Sequence, residues 1–188
     1  AAVPIYAFYY FVRDTLGSVR VGGVARFHAM FDPLLFEVLR APSPDMYRLP
    51  PGVTAATGMD AIAHCMETFM APPYNPPADG IALDGLARGW AFIERATREG
   101  QDRQARWNML SASMQGAMAF QKGLGAVHSL SHSLGGVNPR LHHGTLNAMF
   151  LPAVIRFNAT AESVQKEKRL ERMAHAMGLA SAGDIPEA

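Results

Sequence analysis

Cysteine is nearly absent from this chain of 188 residues: Cys65 stands alone. No disulfide can form within the chain, and a reducing, cytoplasmic setting is expected. An excess of one charge is missing as well. The 17 basic and 16 acidic residues leave a formal +1 with no basic stripe, which excludes the usual electrostatic footprint of a nucleic-acid partner. No run reaches the roughly 18 uninterrupted apolar residues of a membrane span. The apolar opening, residues 1–12, carries neither a basic leader nor a small-residue cleavage pattern, and is not read as a signal peptide. Repeats and low-complexity tracts are also lacking. What remains is a chain with 49% hydrophobic residues, sufficient for the core of one domain or the larger part of one.

Two textures divide it. Residues 1–52 read as short extended runs broken by glycine and proline, with Ile5–Val12 as a strand candidate and Pro33, Pro42, Pro44, Pro50 and Pro51 opposing any long helix. Residues 53–188 read as helical. Apolar periodicity predicts a first helix from Thr57 to Met70, and a second from Asp79, taken as its N-cap, to Gly100. A third is expected from Asp102 to Lys122, and a short fourth holding His128 and His132 and ending at Gly135-Gly136. A fifth follows from Gly144 to Phe157, bent at Pro152, and a sixth from Glu162 to Met177, stopped by Gly178. The expected fold class is mainly α. The methionine-rich faces, and Cys65 beside His64, read as ordinary core.

Five of the seven histidines fall in three short segments. Asp60 and His64 are four apart, as are His128 and His132, and His142-His143 precede Gly144. A four-residue step places two side chains on one helix face, a turn apart. Asp60 and His64 alone would also fit a surface pair. Two histidines in register on a small-residue helix, followed by a third pair, favour a divalent metal held by mixed nitrogen and oxygen donors.

At these residues the chain resembles the iron-containing (group III) alcohol dehydrogenases, whose wider fold is dehydroquinate-synthase-like. The resemblance is carried by Ala55–His64, Asn75-Pro76, Ser113–Phe120, Gly123–Gly136, His143–Ala148, Leu151-Pro152 and Phe157-Asn158. It implies that Asp60, His64, His128 and His143 bind one ion, with iron usual and zinc or another divalent metal accepted. It also implies that His132 lies near the nicotinamide and the substrate, as a cofactor contact and a candidate for moving the hydroxyl proton. The implied reaction is reversible hydride transfer, linked to NAD or NADP, between an alcohol and an aldehyde or ketone. A small-molecule substrate and a homo-oligomer are expected.

Two departures accompany the resemblance. The loop after Gly136 is one residue longer than the family's, so His142 keeps the usual distance from His128 while His143 keeps the junction with glycine. His143 is preferred, because a loop insertion is tolerated better than a shifted helix register; His142 is the alternative. The family's glycine-rich pyrophosphate loop has no counterpart, since Gly22-Gly23 is too short to cradle a pyrophosphate. Residues 1–52 are therefore read as a remnant of, or linker from, an α/β cofactor domain, and the chain alone as incomplete for cofactor binding. Three rivals are weighed: a maleylacetate reductase, disfavoured by Asp60 and Gly144; a metal-using lyase of the dehydroquinate synthase type, disfavoured by the segment His143–Ala148; and a non-catalytic truncated helical domain, opposed by the retained ligands.

Overall fold

A computed structural model describes residues 49–187 of the chain. The strand expected at 5–12, and nearly all of the cofactor-domain remnant expected over 1–52, lie outside the described residues. Among these the structure is helical, without a strand, as the sequence pattern requires.

The first helix, α1, spans Pro51–Met70 and begins before the expected Thr57. The same prolines that argue against a helix interior here open one: proline at the first helical position loses no hydrogen bond, because that N–H has no intrahelical partner. Pro72 and Pro73 prevent continuation. Helix α2 covers Pro76–Arg98, and its N-cap is Asn75, whose side chain accepts the Ala78 N–H. Asp79, expected as the cap, lies inside the first turn and is buried. Helix α3, Arg103–Ala119, is capped by Asp102 accepting the Ala105 N–H at 3.0 Å. It tightens into a 3-10 turn over Phe120–Lys122, which ends where Gly123 takes a φ of 128°.

Helix α4, Ala126–Val137, runs through the glycine pair expected to end it. Helix α5 spans His143–Asn158 with Pro152 inside. The single helix expected over 162–177 is two: α6, Glu162–Lys166, and α7, Arg169–Met177, separated by Lys168 in the left-handed region at a φ of 50°. The break accompanies the burial of Arg169. Its guanidinium reaches the Phe69 carbonyl and the Asp79 and Glu167 carboxylates, partners that periodicity cannot reveal.

Helix α1 is the axis of the core. Ile62, Met66 and Phe69 meet Ala82 and Leu86 of α2, Val127 of α4, Leu151, Val154 and Ile155 of α5, and Met173 and Met177 of α7. Small residues set the spacing. A Cβ at Gly116 would lie 3.0 Å from the Cβ of His64 and 3.2 Å from the Ala61 carbonyl oxygen, so glycine lets α3 rest against α1 beside the site.

Two buried polar knots tie the helix ends. Arg106 donates to Gly100 O, Thr54 Oγ1 and Leu49 O, joining the start of α1 to the α2–α3 turn. Lys122, its side chain fully buried, pairs with Asp79 and donates to Phe69 O at 3.3 Å. Because Lys122 immediately precedes Gly123-Leu124-Gly125, this second knot fixes the approach to α4 and hence the position of His128.

Candidate metal centre

Three helices supply the side chains of one cluster. Asp60 and His64 come from successive turns of α1, His128 and His132 from α4, and His143 from the first residue of α5. Asp60 Oδ1 lies 3.8 Å from His64 Nδ1, 3.3 Å from His128 Nε2 and 3.4 Å from His143 Nε2. Asp60, His64 and His128 each offer an atom within 4.8 Å of the other two. The imidazoles pack on one another, with ring centroids 4.3 Å apart for His64 and His128 and 5.4 Å for His128 and His143. His128 is buried, and Asp60, His64 and His143 are half-buried.

The fourth expected position is the one that adjoins glycine. His143 faces Asp60, whereas His142 is the exposed N-cap residue of α5 and makes none of these contacts. His132 is exposed at the rim, its ring stacked on His143 at 4.9 Å and edge-on to His128 at 5.8 Å.

Two further residues belong to the cluster and escaped the sequence reading. Asn147, one turn after His143 and fully buried, places its amide nitrogen 2.6 Å from Asp60 Oδ1, 3.2 Å from His128 Nε2 and 3.1 Å from His143 Nε2. Its carbonyl oxygen is buried without a partner among the described residues. Glu67, one turn beyond His64, sits with Oε2 2.6 Å from His128 Nδ1. A signal was available for both: positions 60, 64 and 67 share a helix stripe, and so do 143 and 147.

The charges crowd one another. Burial raises the Asp60 carboxyl, but the hydrogen bond to His128 and the neighbouring imidazoles outweigh it and leave the group below its usual range. Burial pushes His64 down, and His128 and His143 add to the effect against the pull of Asp60. His143 is lowered in the same way, burial first. Burial also pushes His128 down, but there the Asp60 and Glu67 carboxylates prevail and hold it up at about 9.

The residues present fit a divalent ion. Three imidazole nitrogens lie within 3.8 Å of the Asp60 carboxylate, and no lysine or arginine among the described residues pairs with it. The imidazoles of His64 and His143, held toward neutrality beside the carboxylate, keep lone pairs that a cation can meet.

The carboxylate–imidazole cluster stands where three helices of this helical domain meet. Residues 54–188 match the C-terminal part of the Fe-containing alcohol dehydrogenase family, and the chain belongs to that family. It is 68% identical over 144 residues to 4-hydroxybutyrate dehydrogenase of Cupriavidus necator, a match covering 74% of this chain and 38% of that protein. It is 37% identical over 131 residues to NAD-dependent methanol dehydrogenase of Bacillus methanolicus, covering 69% of this chain and 32% of that protein. Among solved structures, a crystal structure of 1,3-propanediol oxidoreductase superposes with a TM-score of 0.68 at 35% identity, over 76% of this chain and 37% of that one. The chain thus spans well under half the length of the relatives it matches. No helix among the described residues is long and apolar enough to cross a membrane.

Proposed function

We propose that this chain supplies the metal centre of an alcohol dehydrogenase that interconverts an alcohol and an aldehyde or ketone with NAD or NADP. The observation that carries the reading is the approach of Asp60 Oδ1 to three imidazole nitrogens from three helices. Asp60, His64, His128 and His143 would hold the ion. Iron is the first candidate on family grounds, and zinc, manganese or cobalt are acceptable to the donors. When bound, the ion supplies Lewis acidity, which favours ionisation of an alcohol or polarises a carbonyl.

The remaining chemistry falls to side chains of the chain. Asp60 brings the negative charge that offsets the cation. His132, exposed and stacked on His143, would take or return the hydroxyl proton of a substrate and contact the nicotinamide. His128 and Asn147 are both buried beneath the exposed His132. The likeness to a methanol dehydrogenase named as NAD-dependent supports NAD. The likeness to 4-hydroxybutyrate dehydrogenase supports a terminal alcohol on a short carboxylic acid as the substrate class. A cytoplasmic homo-oligomer is the expected setting.

The test is metal stoichiometry under anaerobic loading with Fe(II), and separately with Zn(II). One ion per chain, lost in His128→Ala with the fold retained, is the expected result. Failure of the wild-type chain to bind either metal would overturn the reading.

A further inference from the structure

Glu67 is a buried carboxylate that the proposed chemistry does not use. Its side chain is 1% exposed, at the centre of the contact between α1 and the start of α4. Carboxylates are seldom buried so completely without strong partners. Glu67 has three. Oε1 accepts the Val127 N–H at 2.7 Å, and Oε2 lies 3.2 Å from the His128 backbone nitrogen and 2.6 Å from His128 Nδ1. Two of these donors are among the unpaired N–H groups at the start of a 12-residue helix, where a negative charge is favoured. The third is the ring that places its other nitrogen against Asp60.

We propose that Glu67 is a positioning residue for the metal centre: it fixes the ring of His128 with the proton on Nδ1, so that Nε2 presents its lone pair to the ion. The Glu67 carboxyl group already accepts two backbone N–H groups, and a ring N–H at the nitrogen 2.6 Å away completes that set of donors. Outer carboxylates on ligating histidines orient the ring and raise its basicity, and their loss typically costs metal affinity 10–100-fold. The inference rests on the metal-centre reading above.

The surrounding chain is shaped to keep the carboxylate in place. A Cβ at Gly125 would fall 2.6 Å from Glu67 Oε1, so any larger residue there would displace it. Glutamine cannot substitute for it either, although the shape is nearly the same. With the amide oxygen toward His128, the amide NH2 would face the Val127 N–H, donor against donor. With the amide turned over, the NH2 would face Nδ1 and drive the ring proton onto Nε2, where the ion must bind.

The experiment compares wild type with Glu67→Gln and Gly125→Ala, measuring the Zn(II) and Co(II) dissociation constants by chelator competition and the thermal midpoint with and without metal. The expected result is metal affinity weakened 10–100-fold in Glu67→Gln, with a smaller metal-induced rise in midpoint and an altered cobalt visible spectrum. Gly125→Ala should move the same readouts in the same direction. A residue that only capped α4 would lower the midpoint of the metal-free protein and leave the dissociation constants unchanged; that result would overturn the inference. If neither variant folds, nitrogen NMR of the zinc-loaded wild type decides: a proton on His128 Nδ1 supports the inference, and one on Nε2 refutes it. Absence of metal binding in the wild type would instead sink the metal-centre reading itself.

Discussion

Replacing Gly144 by alanine tests the geometry most severely, because two physical effects predict opposite signs. Gly144 is the second residue of α5, and alanine is the better helix former by about 0.8–1 kcal/mol in a helix interior. On propensity alone the variant should be stabilised. A Cβ at this position, however, would lie 2.5 Å from the Ala56 carbonyl carbon and 3.3 Å from its Cα, with the carbonyl oxygen nearer still. Non-bonded carbons prefer roughly 3.5–4 Å, so the two backbones would have to separate by about 1 Å. Neither can yield alone, since Ala56 lies within α1 and Gly144 within α5.

Overpacking of this kind costs about 1–3 kcal/mol, which exceeds the gain in propensity. The displacement would also move His143, the adjacent residue, away from Asp60 at 3.4 Å. Sites held about 1 Å too loosely lose function, so metal affinity should fall by roughly tenfold or more. Urea unfolding in the presence of chelator isolates the packing cost, and chelator competition gives the affinity. A Gly144→Ala protein as stable as wild type, with unchanged metal affinity, would refute the close approach of α5 to α1.

Three other outcomes are expected. His64→Ala should abolish the stabilisation that metal gives the wild type, about 2.7 kcal/mol when free metal is a hundred times its dissociation constant; thermal midpoints with and without chelator check this, and a wild-type midpoint indifferent to chelator would count against it. The Cys65 thiol, buried and with Asp84 nearby, is pushed up to about 12, so it should resist a thiol reagent at pH 8 in the native protein and react fully once the protein is unfolded in denaturant. Asp102 is held below the usual aspartate range by the Ala105 backbone N–H, with its Arg95 contact adding to the effect. A depressed folded value means its contribution is present above the unfolded pKa and lost as pH falls through the folded one. Asp102→Asn keeps a capping oxygen but not the charge, so its stability deficit relative to wild type should shrink on acidification, and urea midpoints across pH 3–7 would show a constant deficit if the ionisation were irrelevant.

Much of the fold was legible because helices are specified locally. The 3.6-residue period of Ile62, Met66 and Phe69, and the glycine at 178, mark helices and their ends whatever surrounds them. The same local rule put Asp60 with His64 and His128 with His132 on shared faces, while His143 joined them as an expectation only through the resemblance to the family. Boundaries were less secure wherever one residue type has two meanings. Pro51 begins a helix that its presence seemed to exclude, and Asn75 takes the capping role that Asp79 also suits.

What only the tertiary structure decided are relations between elements distant in sequence. Glu67 reaches His128 across a separation of 61 residues, or 60 to the Val127 N–H, and Asn147 reaches Asp60 across 87. Neither pairing follows from periodicity, because a side chain's face is fixed by its own helix but its partner is fixed by how helices pack. The break at Lys168 has the same origin: a buried guanidinium finds its partners on α1 and α2, and the local chain bends to deliver it. His143 rather than His142 meets Asp60 for a reason of this kind too. The sequence offered both histidines as candidates, and the seating of α5 against Ala56 brings the one beside the glycine to Asp60.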